Sequence, residues 1–151
     1  MFRGRFENGV DEKGRLSIPA KFREILTTQF GANPESPSLI VTNYDACLWA
    51  YPVSIWQALE TKVASLPQFL PEVKALQRVF ISAACECALD KQGRILLPPS
   101  LKEYAQIEQQ AVIVGMTQRI EIWSKLRWDK AFQESQEALL EMQDKLAELG
   151  L

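Results

Sequence analysis

Residues 11–24 read DEKGRLSIPAKFRE, and residues 90–103 read DKQGRILLPPSLKE. The two stretches align without a gap at an offset of 79 residues. Asp11 meets Asp90, Gly14 meets Gly93, Arg15 meets Arg94, Pro19 meets Pro98 and Glu24 meets Glu103, while Leu16/Ile95, Ile18/Leu97 and Arg23/Lys102 keep their character. Glycine and proline are kept in register because each serves a backbone geometry that few other residues adopt, so the match marks a structural repeat. Further on, LIVTN at 39–43 matches AVIVG at 111–115, and Tyr51/Trp123 and Trp56/Trp128 also match, now at an offset of 72. The seven-residue difference falls in TTQFGANPESPS at 27–38, whose Gly, Pro and Ser suit an insertion between elements.

Working outward from each copy, a short strand enters an Asp-x-x-Gly turn. There Gly14 or Gly93 can take positive φ, and the Asp11 or Asp90 carboxylate can accept backbone N–H groups two residues on. A tight reversal leads into a second short strand, RLSI or RILL, which stops at Pro19 or Pro98; the fixed φ of proline suits the entry to a short helix, KFREIL or SLKEYA. Two more strands follow in each half, at 39–43 and 47–51 and at 111–115 and 119–123, the latter pair turning through Gly115, Met116, Thr117 and Gln118. A helix over 53–65, with Ile55, Leu59 and Val63 on one face, closes the first half. A helix over 124–148, N-capped by Ser124, closes the second; it carries Phe132, Leu139, Met142, Leu146 and Leu149 at a and d spacing and is expected to lie on its own domain rather than form an intersubunit zipper. The segment from Leu66 to Arg78, with a short helix in EVKALQRV, returns the chain to the second copy. A unit of ~45 residues buries too little apolar surface to stand alone, so the expected fold is one pseudo-twofold, mainly β domain of mixed β/α class in which both copies share a core.

Composition narrows the function. The 151 residues include no histidine, which removes the commonest general acid/base and metal ligand near neutral pH. Cys47, Cys85 and Cys87 are too few for a paired zinc site, and they are expected as buried small hydrophobes, with Cys85 and Cys87 at alternating strand positions. No Walker, dinucleotide or nucleophile-elbow motif occurs, so no catalytic, metal or cofactor site and no small-molecule substrate is expected. No apolar run reaches the length of a bilayer span, and MFRGRFENGVDEKGR carries charge where a signal peptide would be apolar, so a cytoplasmic location is expected. The formal charge is −2. It is unevenly spread: residues 1–25 hold six basic against four acidic residues, whereas residues 130–151 hold two against five. That leaves Lys13, Gly14 and Arg15 on a turn, with Arg3, Arg5, Lys21 and Arg23 near in sequence and a weaker echo in Lys91, Arg94 and Lys102. A guanidinium carried on a turn can fork onto guanine or clasp phosphate, as β-ribbon readers of double-stranded DNA do. Equally, Asp11 with Arg15 and Asp90 with Arg94 can be ion pairs that only hold the turns.

Over its whole length, excepting the acidic tail, the sequence resembles the MraZ family, on the strength of MFRGRFENGVDEKGRLSIPAKFRE, CLWAYP, ECALDKQGRILLPPSLKEYA and VIVGMTQRIEIWSKLRW. The resemblance implies tandem AbrB-like (SpoVT-AbrB) swapped-hairpin motifs in a β-barrel-like core. On that pattern motif 1 spans 5–53, a helical connector 54–81, motif 2 82–125 and a C-terminal helix 126–151. It further implies a nucleoid-associated homo-oligomeric ring that binds repeated short sequences upstream of division and cell-wall genes. Carried onto this chain, the DNA-contacting residues are Arg15 first, then Lys13 and Arg3, with Lys91 and Arg94 as the second copy's counterparts. Asp11, Gly14, Pro19, Asp90, Gly93 and Pro98 are structural. The second copy has Gln92 beside its glycine and its lysine one place earlier, so Arg94 is the weaker candidate. The competing expectation is a non-catalytic protein interaction module of the same fold, with the turn arginines facing carboxylates of neighbouring subunits or of an antitoxin-like partner.

Overall fold

A computed structural model describes all 151 residues. Chain order is β1 (Arg5–Gly9), β2 (Arg15–Ser17), α1 (Ala20–Thr28), β3 (Ser38–Tyr44), β4 (Cys47–Pro52), α2 (Val53–Ala64) and α3 (Pro71–Leu76), which runs on as a π-helical segment, Gln77–Ile81. The second copy supplies β5 (Cys85–Ala88), β6 (Arg94–Leu96), α4 (Pro99–Ala105), β7 (Gln110–Met116), β8 (Arg119–Ser124), α5 (Lys125–Glu141) and α6 (Gln143–Glu148). The repeat read from the sequence therefore recurs element by element.

The hairpins β3–β4 and β7–β8 form within a copy, but β1, β2, β5 and β6 find their ladder partners in the other copy. One antiparallel sheet has the order β1-β7-β8-β4-β3-β5, and a separate ribbon pairs β2 with β6. The reversal at the first turn brings only Val10 opposite Leu16; β1 then departs to pair with β7 of the other copy, as β5 does with β3. Across the ribbon Leu16 faces Ile95, and across the sheet's centre Trp49 faces Glu121. Both pairs are repeat equivalents, so a pseudo-twofold axis passes through them. The six-stranded sheet is open, with β1 and β5 at its edges, and not a closed barrel.

Alternation along the strands explains the layering. Leu39, Val41, Leu48, Ala50, Ile113, Ile120 and Ile122 point to one face, where Leu16, Ile95, Phe22, Leu26 and Leu101 from the ribbon, α1 and α4 complete a cluster of 22 buried residues. On the other face Ile40 and Tyr51 meet Trp56 of α2 and Phe80 of the π-helical segment, and Cys47, Val112, Val114 and Trp123 meet Trp128 and Ala131 of α5. The strands thus make the core and the helices flank it.

Two expectations are corrected here. Cys47 and Cys87 are buried, but Cys85 is exposed, because β5 is an edge strand. The C-terminal helix does not lie on its own domain along its length. Ser124 caps it as expected, accepting from the Arg127 N–H at 3.2 Å. Only its first turns are tied to the body, where Trp128 packs on Trp123, and Arg5 lies 4.6 Å from the Phe132 ring. The helix breaks at Met142, and Leu139, Leu140 and Leu149 stand 56%, 72% and 79% exposed.

Candidate nucleic-acid interface

Each turn is built by one aspartate. Asp11 Oδ1 accepts from the Lys13 N–H at 3.0 Å and the Arg15 N–H at 2.9 Å, and its Oδ2 takes Arg15 Nε at 2.6 Å. Asp90 does the same with Gln92, Arg94 and Arg94 Nε, all at 2.9 Å. Backbone N–H donors from Arg15 and Arg94 lead the causes that hold both carboxyls below the usual carboxylate range, with burial working against them. Gly14 and Gly93 sit at φ 84° and 76°, closing the turns with N–H bonds back to the Asp11 and Asp90 carbonyls.

The turns also brace each other. Leu97 N–H donates to the Gly14 carbonyl and Ile18 N–H to the Gly93 carbonyl, each at 2.9 Å, so each copy's strand exit is fastened to the other copy's glycine. With β2 and β6 paired, Arg94 Nη1 comes within 4.0 Å of Asp11 Oδ2. Arg15 and Arg94 therefore occupy one site about the pseudo-twofold axis. Their side chains are 34% and 27% exposed. The aspartates engage Nε and leave both Nη groups of Arg15 without a partner in the chain. The Asp11 carboxylate, by holding Nε, fixes the direction in which the Arg15 guanidinium points.

Lys13 and Lys91 are exposed on the same turns and form no ion pair. Arg3 is not brought there. It precedes β1, at the end of that strand remote from the turn, where its backbone lies against Gly115 of the β7–β8 hairpin. Arg5 is likewise spent on α5. Pro19 and Pro98 occupy the positions before α1 and α4 with φ of −51° and −56°, as the motif requires. One residue has a place that spacing did not disclose: the Arg23 guanidinium, from α1 of the first copy, lies flat on Gly93 of the second, and its buried Nε has no acceptor. Nothing local signals a contact between residues 70 positions apart, because it exists only through the cross-copy ribbon.

No helix is long and apolar enough to cross a membrane. A family model described as "MraZ protein, putative antitoxin-like" matches residues 1–79 and again 80–149. A protein of Desulfitobacterium hafniense named Transcriptional regulator MraZ is 42% identical over 151 residues, covering all of both chains. Relatives of the same name from Pelotomaculum thermopropionicum and Moorella thermoacetica are 42% and 40% identical over 151 residues, covering all of this chain and 99% and 100% of theirs. With both halves matching one family model and relatives aligned end to end, the chain belongs to the MraZ family.

Proposed function

We propose that the chain is a non-catalytic transcriptional regulator that binds double-stranded DNA through its paired Asp-x-x-Gly-Arg turns. The observation that carries this is the juxtaposition of Arg15 and Arg94 on a two-stranded ribbon, each held at Nε by its own aspartate, with both Nη groups of Arg15 left available. A guanidinium fixed in this way loses little further side-chain entropy on binding, and its fork matches guanine or phosphate. Arg15 is the principal ligand, since Arg94 is shared between Asp90 and Asp11. Lys13 and Lys91 supply phosphate contacts, and Arg3 a contact at a separate point of the surface.

A net charge of −2 argues against tight binding by one copy. Several copies reading repeated short sites together would gain through effective concentration, which supports a homo-oligomeric, ring-forming regulator of division and cell-wall genes, working in the cytoplasm on the nucleoid. A titration of a promoter fragment at several salt concentrations tests this. The slope of log K against log salt should become shallower by about 0.9 in Arg15→Ala for each phosphate that the arginine no longer neutralises. An unchanged affinity and slope would remove Arg15 from the interface.

A second reading has one observation in its favour: both arginines already face carboxylates. If that pairing extends to other subunits, the chain is an interaction module, and Arg15→Ala alters the assembly's mass before it alters any DNA titration.

A further inference from the structure

The pseudo-twofold axis relates the two ends of the β2–β6 ribbon, yet the ends differ. Leu96 stands directly opposite Arg15, whereas Arg94 stands opposite Ser17. Leu16 and Ile95 between them are fully buried, so by strand alternation these four side chains share the outer face. Leu96 is 58% exposed there. Ser17 is exposed at the equivalent place, so the fold does not require an apolar residue at this position. The Leu96 Cδ1 lies 3.9 Å from where a β-carbon on Gly14 would stand, so the side chain leans across the first turn, beside Arg15 with its free Nη groups. Lys13 borders the same shallow hollow; the one carboxylate there, Glu86, accepts from Ser38 Oγ at 2.7 Å.

A lone exposed leucine carries no message, but this one is placed against the site. A two-stranded ribbon fits the major groove, where base pairs present polar edge atoms and thymine alone adds a methyl group. Directly opposed residues of antiparallel strands carry their β-carbons about 5 Å apart, and stacked bases are separated by about 3.4 Å, so an opposed pair of side chains addresses neighbouring base pairs. Phosphate, by contrast, offers a leucine nothing.

We propose that Leu96 is a specificity-determining residue of the DNA site, taking the C5-methyl of a thymine in the base pair beside the one that Arg15 contacts. This rests on the DNA-binding reading above and adds a base to it. The other end of the ribbon, with Ser17 in that place, makes no such demand.

The test is a titration of a duplex from upstream of the chain's own gene, made once with thymidine and once with deoxyuridine at every thymine. The exchange removes methyl groups and leaves every base-pair hydrogen bond in place. Wild type should bind the uracil duplex more weakly, by about fourfold for each copy in contact, which is the worth of one buried methyl. Leu96→Ser places at this end the residue that the repeat carries at the other. It should bind both duplexes equally, while Arg15→Ala weakens on both and keeps the preference for thymine. A wild type indifferent to the exchange overturns the proposal. So does a Leu96→Ser preference equal to that of wild type, which assigns the methyl to another residue or to DNA shape. Leu96→Ser should also keep wild-type mass in light scattering; a lower mass gives Leu96 to a contact between copies and overturns the thymine contact. A wild type that binds neither duplex removes the DNA-binding reading itself.

Discussion

Gly93→Ala and Gly14→Ala change the same position of the same motif, and the structure assigns them different costs. Both glycines have positive φ, so each alanine meets a backbone penalty of about 1–2 kcal/mol. At Gly14 the added methyl meets only ordinary van der Waals neighbours, the nearest being the Leu97 carbonyl oxygen at 3.6 Å. At Gly93 it would fall 2.5 Å from the Arg23 guanidinium. Arg23 Nε has no hydrogen bond to lose, so its displacement costs packing and rotamer energy, about 0.5–1.5 kcal/mol. Urea unfolding at one fixed protein concentration should therefore place Gly93→Ala about 1 kcal/mol below Gly14→Ala, equivalent to about 2–4 °C in Tm for a chain of this size. Adding Arg23→Ala to Gly93→Ala should remove the excess, giving a coupling energy of that size in a double-mutant cycle. Equal costs at the two glycines, or a cycle that closes to zero, would refute the claim that one copy's helix braces the other copy's turn.

Leu16 and Ile95 face each other fully buried at the pseudo-twofold axis, so Leu16→Ala should destabilise by about 2–5 kcal/mol and loosen both turns together, seen as faster amide exchange at Gly14 and Gly93 alike. Asp11 and Asp90 are held below their unfolded carboxylate values; their contribution to stability is complete above about pH 4 and is lost as pH falls through the lower folded values. Asp11→Asn with Asp90→Asn should flatten the acid limb of a urea stability profile, and an unaltered limb would contradict the clamp. A thiol reagent should label Cys85 in the native protein and reach Cys47 and Cys87 only on unfolding, because burial pushes the Cys87 thiol up to about 12 and that of Cys47 higher still. Ser124→Ala should cost about 1 kcal/mol by uncapping α5, read in the same denaturation assay.

The turns, the hairpins and the helix that covers Tyr51 were legible because each rests on local rules: positive φ at glycine, side chains alternating along a strand, apolar residues three and four apart. The pseudo-twofold core was legible as well, since two repeats too small to stand alone must share one. Which strand pairs with which was not. β2 and β6 are three residues each, and their sequences satisfy a hairpin with β1 as well as a ribbon with each other. For the same reason Arg3 read as a neighbour of Arg15 by sequence distance, although an intervening strand carries it to the other end of the sheet. Cys85 read as buried because strand alternation does not reveal an edge. The leucines after Phe132 read as packed because periodicity shows that a stripe exists and not what covers it.

The exchange of strands between copies has a consequence for synthesis. Arg5 pairs with Val114, so β1 has no partner until about three-quarters of the 151 residues have been translated. At ~5–20 residues per second, the first copy emerges and waits for several seconds with the faces of β3 and Leu16 open to water. A ribosome that stalls after the connector releases a polypeptide with unmatched edges, prone to join another like itself, so cells carrying such a truncation should accumulate it in the insoluble fraction rather than as a small folded half.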